Sequence, residues 1–294
     1  MNIKAFSAII GIGFFPALTI AADFPGDFKS ALELYNKKEY AQAQEAFLKL
    51  AEAAPTPKSK SECLAYAASS LGRQGQYDRA LELAKKIELK PVSINCQMEI
   101  MLENKKYKEL VAAFGNEDIS SWPDWIIHRG FYNRGTAERL AGNLEAAAAD
   151  LEKAVENSDT AGQFQVQAAH ELAGVCRALK NDVKELAAHR VVLSQKPGRI
   201  YIYYPSCLAA AGILLRQGKH DAALAELKLF DPLPSDGPTA PYKARALELA
   251  GDINAARGMK DEAFAKYREA LKIKGISQKD TEQLNKKIDA IANK

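Results

Sequence analysis

A small residue, a glycine seven positions later and an alanine five beyond that recur four times along this chain. The triplets are Ala68-Gly75-Ala80, Gly135-Gly142-Ala147, Ala211-Gly218-Ala223 and Gly251-Gly258-Ala263. Each interval has a mechanical reading. The first small residue lies in a helix and lets a second helix approach closely. The glycine ends that first helix, because glycine enters the left-handed cap conformation at low steric cost. An apolar residue such as Tyr40, Tyr77, Tyr107 or Leu144 then staples the turn, and the alanine nests the second helix against the first. Leu227 and Tyr267, four positions after their alanines, continue the same face.

Second-helix positions fall at Ala43, Ala80, Ala147, Ala223 and Ala263, with Leu110 and Leu186 at weaker repeats. Their successive spacings are 37, 30, 37, 39, 37 and 40 residues. From about Asp27 to Gly275 these residues resemble the tetratricopeptide repeat family, whose period is about 34. The resemblance implies an all-α, right-handed α-solenoid of about seven helix pairs. The pairs near Val92 and Gln165 are degenerate. Residues 23–276 are read as the repeat solenoid and 277–294 as a C-terminal capping helix, since a last repeat needs a polar cover. In that helix Leu284, Ile288 and Ile291 form the apolar stripe, and Lys279, Lys286, Lys287 and Lys294 are expected to face water. The proline-rich stretch from Asp231 to Pro241 is expected to be an extended connector, with Gly115 to Asp124 acting similarly before the fourth pair.

Residues 1–22 are set apart. Lys4 precedes an uncharged apolar run that closes on Thr19-Ile20-Ala21-Ala22, the order of regions in a secretory signal peptide. The expectation is an exported bacterial member of the family, periplasmic or secreted. No later stretch is apolar for the roughly 18 residues of a membrane span. Forty basic side chains stand against 37 acidic ones. That balance gives no long-range field for nucleic acid.

Export and an even number of cysteines raise the question of disulfides. Cys63–Cys96 and Cys176–Cys207, separated by 33 and 31 residues, are candidate staples between adjacent repeats. Four buried thiols are the alternative. No Cys-x-x-Cys spacing and no second histidine after His170-Glu171 support a metal site, and no catalytic or phosphate-binding motif is found. No enzyme, no cofactor and no metal are expected.

What the resemblance implies is an interaction scaffold that docks a peptide or a partner helix in a concave groove walled by the first helices. On the repeat register, Arg129, Tyr132, Asn133 and Thr136 of the fourth pair fall on that wall. Glu171 of the fifth pair, and Tyr66 and Arg73 of the second, fall there too. The aromatic stretches 122–133 and 199–204 either plug irregular joints or form a surface. Two other readings stay open. One is glycan binding, with Trp122, Trp125 and Tyr201 to Tyr204 as stacking platforms. The other is self-association within an envelope structure.

Overall fold

The computed structural model describes residues 23–158, 162–194 and 200–292. The leader read over residues 1–22, together with Arg199 and Lys294, lies outside them. Among the described residues every regular element is a helix. Seven antiparallel pairs follow one another: α1 (Phe24–Asn36) with α2 (Tyr40–Glu52), α3 (Pro57–Arg73) with α4 (Tyr77–Lys85), α5 (Lys90–Glu103) with α6 (Tyr107–Phe114), and α7 (Asp124–Ala141) with α8 (Leu144–Glu156). After them come α9 (Gln163–Ala178) with α10 (Asp182–Leu193), α11 (Ile200–Arg216) with α12 (His220–Leu227), and α13 (Ala240–Ala256) with α14 (Lys260–Leu271). A single helix, α15 (Gln278–Ala292), closes the series. No helix among these residues is long and apolar enough to cross a membrane.

The pairs form two compact units, one ending at Ser93 within α5 and one beginning at Ile94. In the first, α1, α2 and α3 enclose Ala31, Ala43, Phe47, Cys63 and Ala67. Tyr66, placed by its register on the binding wall, belongs to this core instead. Its ring stacks on Phe47 at 4.9 Å and meets Phe28 and Tyr35 edge-on. Arg73 is exposed at the end of α3.

One turn chemistry joins all seven pairs. A residue at positive φ ends each first helix, and the next amide donates to the carbonyl five residues back at 2.9–3.0 Å. Glycine takes that position at Gly75, Gly142, Gly218 and Gly258, but Lys38, Lys105 and Lys180 take it in the other three pairs. Five residues after each cap stands a buried side chain. Five of these are the expected alanines, and Leu110 is the sixth. The seventh corrects the sequence reading: it is Glu185, not Leu186, and its side chain is 3% exposed.

Close packing explains two more glycines. A Cβ on Gly251 would lie 2.3 Å from Cε1 of Tyr267, and one on Gly130 would lie 2.4 Å from the ring of Trp122. Within α7, Arg134 binds Asp150 through two nitrogens at 2.6 and 2.9 Å and donates to the carbonyl of Glu117, in the connector before the helix, at 2.7 Å. It thereby pins the 115–124 connector. The 231–239 stretch is irregular as expected, although Pro241 lies inside the first turn of α13, where its missing N–H is harmless.

The two candidate staples are not formed, and the alternative of four buried thiols is what the structure shows. All four cysteines are buried and none is in a disulfide. Cys176 stands four residues before its cap and Cys207 eleven before its own. At 1.5 Å per residue that is an axial offset of about 10 Å, more than a bridge tolerates. Cys207 donates its S–H to the carbonyl of Glu226 at 3.1 Å, and burial pushes its thiol up to about 12. The Cys63 thiol is pushed up to about 11 by the same cause.

Candidate partner-binding groove

In the second unit the first helices α9, α11 and α13, joined by α15, wall a cavity of about 510 Å³. A second hollow of about 430 Å³ adjoins it between α7, α9 and α10, sharing His170, Arg177 and His189. The apolar lining of the larger cavity comes from half-buried residues of α11 and α13: Pro205, Leu208, Ala209 and Leu249. Charged side chains stand around this lining in two layers.

The inner layer is acidic. Glu185, Glu248 and Asp252 sit at or near helix-packing positions, where an unpaired carboxylate would be costly. Arg177 Nε donates to Glu185 at 2.7 Å, and Arg216 reaches the other oxygen at 3.9 Å. Arg245 binds Glu248 at 2.7 Å. Lys287 of α15 bridges Glu248 and Asp252, each at 2.7 Å, and Tyr267 donates to Asp252 at 2.8 Å. Lys287 is therefore not one of the water-facing lysines of the cap. It holds α15 to α13.

The outer layer is basic. The side chains of Arg177, Arg216 and Arg245 are 62, 56 and 53% exposed, against 3% for Glu185 and 7% for Glu248. What a visitor meets at the mouth is a row of guanidinium groups, one per repeat.

The fifth pair explains how the sequence makes this site. Where other repeats bury alanine and, four residues later, Phe47, Ala84, Leu151, Leu227 or Tyr267, this repeat buries Glu185 and His189. Its degeneracy is the replacement of an apolar seam by an acid and an imidazole. His189 Nε2 lies 3.6 Å from Glu185, and burial holds the imidazole neutral, its pKa pushed down to about 4. Among the described residues its Nδ1 has no hydrogen-bond partner, and neither has the hydroxyl of Ser206, which lines the same cavity. Each buried unmet group costs about 1–3 kcal/mol.

The residues expected on the wall fare differently. Arg129 is exposed on α7. Asn133 is buried and donates to Asn95 Oδ1 at 2.9 Å, so it ties α7 to α5 rather than facing a visitor. Tyr132 packs edge-on against Phe164 at 5.0 Å, and Thr136 is half-buried. Glu171 is joined to Arg139 at 2.9 Å beside the smaller hollow. Trp122 and Tyr204 are buried, whereas Trp125 and Tyr201 are exposed. No group of three or more His, Cys, Asp or Glu among the described residues could hold a metal ion. The residues the sequence did not single out are Arg177, Glu185, His189, Arg216 and Arg245.

Comparison with known proteins bears on the fold. Residues 207–293 match the sequence model of a tetratricopeptide repeat-like domain. The C-terminal part of a tetratricopeptide repeat protein from Cytophaga hutchinsonii is similar over 87% of this chain and 98% of its own, at 18% identity and a TM-score of 0.55. A structure of pilF from Pseudomonas aeruginosa covers 90% of this chain and 97% of its own at 14% identity, with a TM-score of 0.47. YrrB, described as a tetratricopeptide repeat protein with an unusual peptide-binding site, covers 82% of this chain and 98% of its own at 16% identity, with a TM-score of 0.49. No curated protein matches significantly. The family match in sequence thus lies over residues 207–293, and the fold of tetratricopeptide repeat structures, stacked antiparallel helix pairs, extends through the residues before them.

Proposed function

We propose that this chain is a non-enzymatic scaffold that docks a segment of a partner protein in the α9–α11–α13 groove, and that it does so in the periplasm or outside the cell. Tetratricopeptide-type folds bind protein or peptide partners, which supports the general role. The observation that carries the placement is the fifth repeat. It gives up an apolar seam for Glu185 and His189, and so holds Arg177 at the mouth of a cavity with an apolar floor, where Asp182 of the same repeat binds Arg216. Proteins break local packing rules most often where function demands it.

A photo-crosslinking amino acid at Leu208, on the cavity floor, tests the placement in living cells. A discrete crosslinked partner is expected from that site and not from Val183, which is exposed on α10 outside the cavity. Crosslinks from Val183 alone would move the docking site elsewhere. Export is tested separately by fusing alkaline phosphatase behind residues 1–22, since that enzyme needs disulfides that form outside the cytoplasm. An inactive fusion would refute it.

A further inference from the structure

We propose that the docked segment is extended and acidic, and that its backbone crosses α9 and α11 against Gly174 and Gly212. This rests on the docking reading above. Both glycines lie in the interior of a first helix, six residues before the cap, where glycine weakens a helix relative to alanine. The repeat does not demand glycine there, because the equivalent positions hold Leu32, Ser69, Glu99, Thr136 and Asp252. Nor does packing. A Cβ on either residue would meet nothing within 4 Å, unlike one on Gly130, Gly135 or Gly251. The two missing side chains leave open floor in the adjoining hollows, Gly174 in the smaller and Gly212 in the larger. Bare backbone of this kind lets another chain approach closely.

Two further observations give the visitor its chemistry. Among the described residues His189 Nδ1 and Ser206 Oγ have no hydrogen-bond partner, on residues 3% and 1% exposed, and both residues line the cavity that Gly212 floors. A peptide backbone carries the donors and acceptors that such groups lack. The outward layer carries a guanidinium on both sides of the crossing, Arg177 three residues after Gly174 and Arg216 four after Gly212; Glu185 is buried behind Arg177, and Asp182 holds Arg216 at 2.7 and 3.1 Å. Carboxylates on the visiting segment match planar guanidinium forks.

The test uses the full chain and an array of synthetic octapeptides carrying zero to four Asp or Glu residues, with an octathymidylate of comparable charge alongside. The best peptide is then measured by fluorescence anisotropy against Gly174→Ala/Gly212→Ala and Gly174→Leu/Gly212→Leu. Binding is expected to rise with acid count. The alanine pair should melt at or above the wild-type temperature yet bind several-fold more weakly, and the leucine pair should lose at least tenfold. Should the leucine pair fail to fold, the alanine pair, whose new methyls meet open space, decides the question. Undiminished binding by both pairs overturns the crossing while leaving docking at Leu208 intact. Preference for neutral or basic peptides, or equal binding of the oligonucleotide, overturns the acidic segment. Absence of any peptide binding overturns the whole inference, and the Leu208 crosslink then judges the scaffold reading alone.

Discussion

Arg177→Ala isolates the buried acid on which the groove depends. Glu185 occupies a position where five other repeats bury alanine, and its carboxylate is compensated mainly by Arg177 at 2.7 Å, with Arg216 at 3.9 Å already engaged by Asp182. A hydrogen bond to a charged group contributes about 1.5–3 kcal/mol. Because the Arg177 side chain is 62% exposed, solvent screening moves the expected loss to about 1–2 kcal/mol. For a unit of roughly 200 residues that is a fall in Tm of about 2–8 °C. Both tryptophans, Trp122 and Trp125, lie in the second unit, so their fluorescence follows this unit's unfolding. Adding Glu185→Met, which fills a similar volume without charge, should restore most of the loss, since a buried ion pair replaced by apolar groups is often neutral or better. The double-mutant cycle should show a coupling of about 1 kcal/mol or more. If the two substitutions add independently, or Glu185→Met alone destabilises as much as Arg177→Ala, then Glu185 is not a buried charge held by Arg177.

Lys180→Gly should stabilise the second unit by up to about 1 kcal/mol, because lysine is held at φ 56° where glycine is unstrained; unchanged urea midpoints would show that the cap carries no strain. Gly251→Ala should destabilise by about 1–3 kcal/mol, since its methyl would lie 2.3 Å from the Tyr267 ring, and thermal melts that match wild type would contradict that packing. His189 is neutral when folded and its pKa is pushed down from 6.5 to about 4 by burial, against the pull of Glu185 and with that of Arg177. The unfolded chain therefore binds the extra proton first, so stability is full above pH 6.5 and declines as pH falls from there toward 4. The Tm difference between pH 7 and pH 5 should shrink in His189→Gln, and an equal difference in both proteins would place the titration elsewhere.

Much of the fold was legible because a helix pair imposes steric demands that few residues meet. Ala43, Ala80, Ala147, Ala223 and Ala263 are each fully buried, and Gly251 leaves the room that Tyr267 fills. What escaped was any position where another residue met the same demand at a cost. Lys38, Lys105 and Lys180 cap helices that a search for glycine passes over, yet their hydrogen bonds match those at the glycines. Counting five residues on from Lys180 reaches Glu185; without that cap as an anchor, the nearest apolar residue, Leu186, looks like the seam and the register slips by one.

The same slip hid the groove. A sequence reading asks which polar residues are spare, and so it favoured Asn133 and Tyr66, whose side chains turn out to be occupied by Asn95 and by an aromatic cluster. Arg177, Arg216 and Arg245 look like ordinary solvated bases on helix faces, and nothing local distinguishes them from dozens of others. Their significance depends on which acids lie beneath them, and for Arg177 and Arg216 those acids come from another helix: Glu185 from the one that follows, Asp182 from 34 residues away. Gly174 and Gly212 had a signal of their own, a helix-weakening residue six places before the cap in two successive repeats. That signal becomes readable only once Lys180 is known to be a cap equivalent to Gly218. A repeat that departs from its consensus at a seam, and at the same time clears its outward face, is being held for something that the repeat's own packing does not require.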